Sequence, residues 1–130
     1  MIKIIFSLGL IFAETTQTQA PAVDLLKQNL SENITSVQTR IEGLNKNLTC
    51  RTKNDCDVLG LGHKLCGGPE TFIVVSKKNP SYNALVHEAK THRSLRREYQ
   101  TKYSQGMMGT CSMAQPPAVL CQARRCTAAN

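Results

Sequence analysis

All six cysteines of this 130-residue chain fall between positions 50 and 126, downstream of a short apolar leader, and no other feature restricts its fold so strongly. Six thiols in a small chain of this kind predict disulfides, and disulfides persist in oxidising compartments outside the cytosol. They matter because the candidate core is poor in large side chains, with three Phe, three Tyr and no Trp. A small domain with so few aromatics gains from covalent staples, each typically contributing about 2–4 kcal/mol. Cys50, Cys56, Cys66, Cys111, Cys121 and Cys126 are therefore read as a disulfide frame, with the pairing left open by the spacing.

The leader agrees with export. Lys3 precedes an apolar run over residues 4–13, which matches a secretory signal peptide and is too short to span a bilayer. Cleavage could follow Ala13 or Ala20, so residues 1–22 are assigned to signal peptide and leader as a whole. The expected location is secreted or periplasmic. Residues 23–48 then read as an amphipathic helix, and residues 49–130 as a cysteine-rich α+β domain.

The helix reading rests on Leu26, Leu30, Ile34, Val37, Ile41, Leu44 and Leu48, which recur every three or four residues along one stripe. At 1.5 Å rise such a helix is about 39 Å long, more than a small domain is wide. It either lies along the cysteine-rich part or projects and pairs with a second copy; packing is the expectation. Asn29, Asn33 and Asn47 begin Asn-x-Ser/Thr sequons, glycan acceptors in a eukaryotic secretory route and ordinary helix surface in a bacterium.

Beyond Cys50 the composition changes. Residues 50–56 are polar and turn-like, and residues 60–69 form a glycine-rich loop feeding the β-branched run Thr71–Val75, a buried strand. Asn79-Pro80-Ser81 ends that strand and caps a second helix over about residues 82–104, which Gly106-Met107-Met108-Gly109 stops. After Pro116-Pro117, residues 118–126 read as a strand or hairpin partner. The predicted fold is a small disulfide-stapled α+β domain with two helices and a short antiparallel sheet.

Several chemistries are weakened by spacing. Structural zinc favours cysteines two to four residues apart; Cys50/Cys56 and Cys121/Cys126 fit disulfides better in an exported chain, and the lack of Cys-x-x-Cys argues against a redox motif. His87 and His92 stand at i and i+5, about 140° apart on a helix, and cannot aim at one metal as a His-x-x-x-His pair does. No Gly-x-Ser-x-Gly element accompanies the three histidines, and the glycines near Cys66 do not form a phosphate-binding loop. No catalytic residue, metal or cofactor is expected.

Two groups on the second helix remain. Glu88, His92 and Arg96, spaced by four, form a polar ladder on its apolar side. It is either a buried network or an exposed, salt-bridged edge with Arg96 snorkelling. Lys90, Arg93 and Arg97 form a basic ridge on the neighbouring flank. The formal net charge is +7. The signs balance within residues 1–22 and again within 23–49, so the excess lies after Cys50. Such a surface attracts an acidic protein or another anionic surface. Nucleic acid is disfavoured, because stacking aromatics are scarce and the chain is exported.

The string Cys50, Cys56, Cys66-Gly67-Gly68-Pro69, Cys111-Ser112, Pro117, Cys121 and Cys126 resembles small exported bacterial proteins with a Cys-Gly-Gly-Pro signature and six cysteines. The resemblance covers residues 50–126 and implies the fold and export alone, since that group carries no assigned activity. The function expected is that of a non-enzymatic exported binding protein, pictured as an inhibitor-like module that docks on another extracytoplasmic protein. Its expected contacts are Lys90, Arg93 and Arg97 with the loop at His63 and Lys64. The alternative is a structural or envelope-associated module that self-associates as a homodimer through the first helix. Neither reading places a span across the membrane.

Overall fold

The computed structural model describes residues 20–104 and 111–129. Helix α1 (Ala20–Leu44) leads into a 3-10 turn (Lys53–Asp55) and strand β1 (Cys56–Leu61). Strand β2 (Thr71–Ser76), helix α2 (Tyr82–Tyr103), β3 (Val119–Gln122) and β4 (Arg125–Ala128) follow. The α+β class is as expected. The strands form two antiparallel pairs, β1–β2 and β3–β4, rather than one sheet.

The β1–β2 pair is the middle layer, and its two faces divide the core by the period of a strand. Leu59, Leu61, Ile73 and Val75 point to the helices and meet Val37 and Ile41 of α1 and Leu85 and Ala89 of α2. Cys56 and Val74 point the other way, toward Cys50, Leu48, Val119, Cys121 and Cys126. The hairpin β3–β4 therefore covers the face that the helices leave open. Helix α1 packs along α2 and against the sheet and does not project as a stalk.

Helix α1 begins earlier and ends earlier than the 23–48 expected. Pro21 sits in its first turn, where a missing backbone N–H costs nothing. At the other end Asn45, Lys46 and Asn47 favour local side-chain bonds over helix. Asn79 Nδ2 donates to the terminal Leu44 carbonyl at 2.8 Å, and Asn45 Nδ2 donates to Val74 O at 3.0 Å. Leu48, the last residue of the apolar stripe, is thus outside the helix. It packs on the cystine cluster instead.

Strand β1 replaces part of what reads as loop. Its register pairs Cys56 with Ser76 and Leu61 with Thr71. The glycines at 60 and 62 hide this strand in the sequence. Gly62 closes it at φ +76, where a Cβ would strike the Glu70 side chain, its own Cβ at 2.9 Å. Before α2, Asn79 Oδ1 accepts the Ser81 N–H at 2.8 Å, so Asn79 rather than the Ser81 side chain organises the entry.

Three disulfides hold these layers: Cys50–Cys121, Cys56–Cys126 and Cys66–Cys111, with Cα–Cα distances of 6.0, 5.6 and 5.5 Å. The first two tie the hairpin to the middle of the chain. The third ties the glycine-rich loop to the segment after α2. The leader over residues 1–19 and the Gly106–Gly109 helix stop lie outside the described residues. Among those described, no helix is long and apolar enough to cross a membrane.

Candidate functional site

The polar ladder of α2 does not act as one unit. Each rung is bound to a different element. Glu88 takes a two-pronged bond from Arg40 of α1, Nε–Oε1 3.3 Å and Nη2–Oε2 3.2 Å. His92, 5 % exposed, accepts the Gly62 N–H at Nδ1 over 2.9 Å. Arg96 donates to Glu70 Oε1 at 2.6 Å, and Gln100 Nε2 donates to the same oxygen at 3.1 Å. The side chains stand in line because of the four-residue period, but their partners are α1, the end of β1 and the loop before β2.

The His92 bond fixes its chemistry. An Nδ1 that accepts is unprotonated, so a neutral ring carries its proton on Nε2. Burial is the main cause holding its pKa below the ordinary 6.5; Arg96 pushes the same way and Glu70 opposes. Nε2 is buried without a protein partner. The ring braces β1 against α2 through one backbone bond.

The basic ridge is also divided. Lys90 and Arg97 are exposed, whereas Arg93 is half-buried and donates from Nη1 to Gly60 O at 3.1 Å. His63 and Lys64 are half-buried in the loop, and Lys64 Nζ donates to Ser112 O beside the Cys66–Cys111 bridge. Arg93 and Lys64 thus hold the frame, leaving Lys90 and Arg97 as the open charges of the expected contact set. The Sγ atoms of Cys50, Cys56 and Cys126 lie within 4.8 Å of one another. All three belong to disulfides and offer no thiolate to a metal.

A different basic site emerges at the hairpin. A cleft of about 570 Å³ is lined by Lys46, Asn47, Leu48, Thr49, Ala123, Arg124 and Arg125. The segment before Cys50 reaches it because the Cys50 N–H donates to Arg124 O at 3.1 Å and the Cys126 N–H to Leu48 O at 2.8 Å. Thr49 bridges Arg125 in antiparallel sense. The β3–β4 turn is made by Ala123 and Arg124, at φ 49 and 60. Two left-handed central residues suit a tight hairpin, where Asn-Gly is the usual choice; for residues with a Cβ this conformation costs roughly 1–2 kcal/mol each. Lys53 and Lys77 line a second cleft of about 490 Å³ with Ala118 and Val119, at the open end of the hairpin.

Sequence reasoning did not find these cations. Its signal was the Arg124-Arg125 pair held between Cys121 and Cys126, but Lys46 was assigned to a helix that ends before it. No family model, curated protein or solved structure matches the chain.

Proposed function

We propose that this protein is a non-enzymatic, exported binding module that docks its basic surface on an acidic face of another extracytoplasmic protein, in the manner of a small enzyme inhibitor. One observation carries the reading. Every Asp and Glu side chain after Cys50 is engaged inside the molecule, while seven of the twelve Lys and Arg side chains there are not.

Asp55 accepts the Arg51 and Thr52 N–H groups and pairs with Lys78 at 4.0 Å. Asp57 accepts the Tyr82 hydroxyl at 2.6 Å. Glu70, Glu88 and Glu98 are held by Arg96, Arg40 and Lys102. Arg51, Lys53, Lys77, Arg124 and Arg125 near the hairpin, with Lys90 and Arg97 on α2, are exposed and have no side-chain hydrogen bond or ion pair among the described residues. A rigid frame that leaves one sign of charge unopposed favours encounter with the opposite sign.

The test is to reverse these charges by patch, with Lys90→Glu/Arg97→Glu as one variant and Lys53→Glu/Lys77→Glu as another. Binding to an acidic extracytoplasmic protein should weaken and lose its salt dependence in at least one variant. Unchanged binding in both, and in Arg124→Glu/Arg125→Glu as a third, with salt dependence intact, would refute the docking surface.

A second reading keeps one observation of its own. Val23, Leu25 and Leu26, near the start of α1, are 58, 58 and 63 % exposed. They are the face through which two copies would pair. Residues 37 and 41 belong to the core, so α1 cannot be deleted to test this. Sedimentation of Leu26→Glu is the suitable measurement: a dimer that dissociates supports pairing, and a wild type that is already monomeric dismisses it.

A further inference from the structure

We infer that the cleft at the β3–β4 turn is a receptor for spaced carboxylates, taking an extended Asp/Glu-rich segment of the partner protein. This inference rests on the docking reading above and names the site and the ligand chemistry.

Three cations from two distant stretches, Lys46 on one side and Arg124 and Arg125 on the other, border one cleft of about 570 Å³. No carboxylate lines it. The nearest acid in sequence before it, Glu42, accepts a bond from Gln38 Nε2 at 3.4 Å. The walls are fixed: the Cys50–Cys121 bridge and the backbone bonds at Cys50 and Cys126 lock both stretches together. Rigid cations meet a ligand without first having to be ordered.

Arg124 supplies the second observation. It occupies a left-handed turn position at φ 60 that glycine would hold without strain. A strained residue kept where a cheaper one fits points to a use for its side chain. At the tip of a hairpin that use is to present a guanidinium to solvent.

The backbone distinguishes a string of carboxylates from one compact phosphate. Phosphate sites use a cradle of free main-chain N–H groups. Here the Thr49 N–H is held by Asn47 Oδ1 at 3.1 Å and the Cys50 N–H by Arg124 O. Recognition therefore falls to long, separate side chains. Each can take one carboxylate, the arginines in two-pronged fashion.

The decisive experiment measures fluorescence anisotropy of a labelled Glu-Ala repeat peptide with the intact, oxidised protein. Inorganic phosphate is the competitor, and phosphatidylglycerol vesicles are tested separately. Arg124→Gly and Arg125→Gln should each weaken peptide binding by about tenfold, and added salt should matter less. Arg124→Gly should also melt at the same or a higher temperature, since it relieves the turn. That opposite movement of affinity and stability is not expected of a merely structural residue. Binding unchanged in Arg124→Gly would overturn the proposal. So would full displacement by millimolar phosphate, or vesicle binding without peptide binding. Loss of peptide binding in Lys90→Glu/Arg97→Glu alone would discard the cleft and keep the docking reading. No peptide binding to any form would end the cleft proposal and leave the docking reading to its patch variants.

Discussion

At the scale of single residues, Gly62 and His92 form a coupled pair on which the join between β1 and α2 depends. Gly62 needs its positive φ, the space taken by Glu70 and its free N–H for His92 at once. Gly62→Ala should cost about 2–4 kcal/mol, measurable by urea denaturation of the oxidised protein, because strain and steric overlap add. His92 gives the molecule a pH dependence of known sign. Its folded pKa lies below the unfolded value, so its share of stability is complete above about pH 6.5. It is lost as the pH falls below that value, because the unfolded chain then takes a proton the folded ring refuses. Protonation of Nδ1 would also break its bond to Gly62. Stability measured from pH 7.5 to 5 should fall more steeply in the wild type than in His92→Gln. An NMR titration should find the His92 ring protonating below the ordinary imidazole range. Parallel stability curves would remove His92 as the source.

Among the elements, those with a strong internal signal were legible in the sequence. Helix α2 was expected over 82–104 and runs over 82–103, and β2 extends the expected strand only to Ser76. Both combine regular patterning with turn residues at their ends. Failures came where tertiary bonds decide. Leu48 keeps the helical period, yet Asn79 and Asn45 end α1 before it, and both bonds join residues about thirty positions apart in the chain, an arrangement no local window holds. Strand β1 carries Asp57 and Gly60 and is closed by Gly62, so it reads as loop until β2 pairs with it. The hairpin turn uses Ala123-Arg124 in place of a recognised turn pair. The candidate site was hidden for the same reason, since its two walls meet through a bridge between Thr49 and Arg125. On α1, Ile41 is 2 % exposed at the junction of helices and sheet. Ile41→Ala should destabilise by about 2–5 kcal/mol. Leu26→Ala, on the exposed end, should change stability by less than about 0.5 kcal/mol, and equal effects would contradict the packing described.

For the molecule as a whole, the disulfides divide into two kinds. Cys50, Cys56 and Cys126 are buried in the cluster between sheet and hairpin, whereas Cys66 and Cys111 are both exposed. Reductant reaches an exposed bridge first, because exchange requires access of a thiolate to sulfur. Limited reduction followed by alkylation and peptide mapping should label Cys66 and Cys111 while the other four remain blocked. The replacement Cys66→Ser/Cys111→Ser should keep the hairpin cleft, since no bond of that cleft passes through the loop. By contrast, Cys56→Ser/Cys126→Ser should cost about 2–5 kcal/mol and loosen the hairpin. Early labelling of Cys50 or Cys56 would show that the cystine cluster opens more readily than its burial implies.

The same two inner bridges carry a consequence in time. Cys50 and Cys56 find their partners 71 and 70 positions later. A chain made from its amino end must hold both thiols open until the hairpin has emerged. Throughout that interval the thiols within reach are each other and Cys66, all of them wrong partners. Correct pairing therefore waits on the synthesis of residues 121–126, and a ribosome paused before them would present a thiol pair primed to mispair.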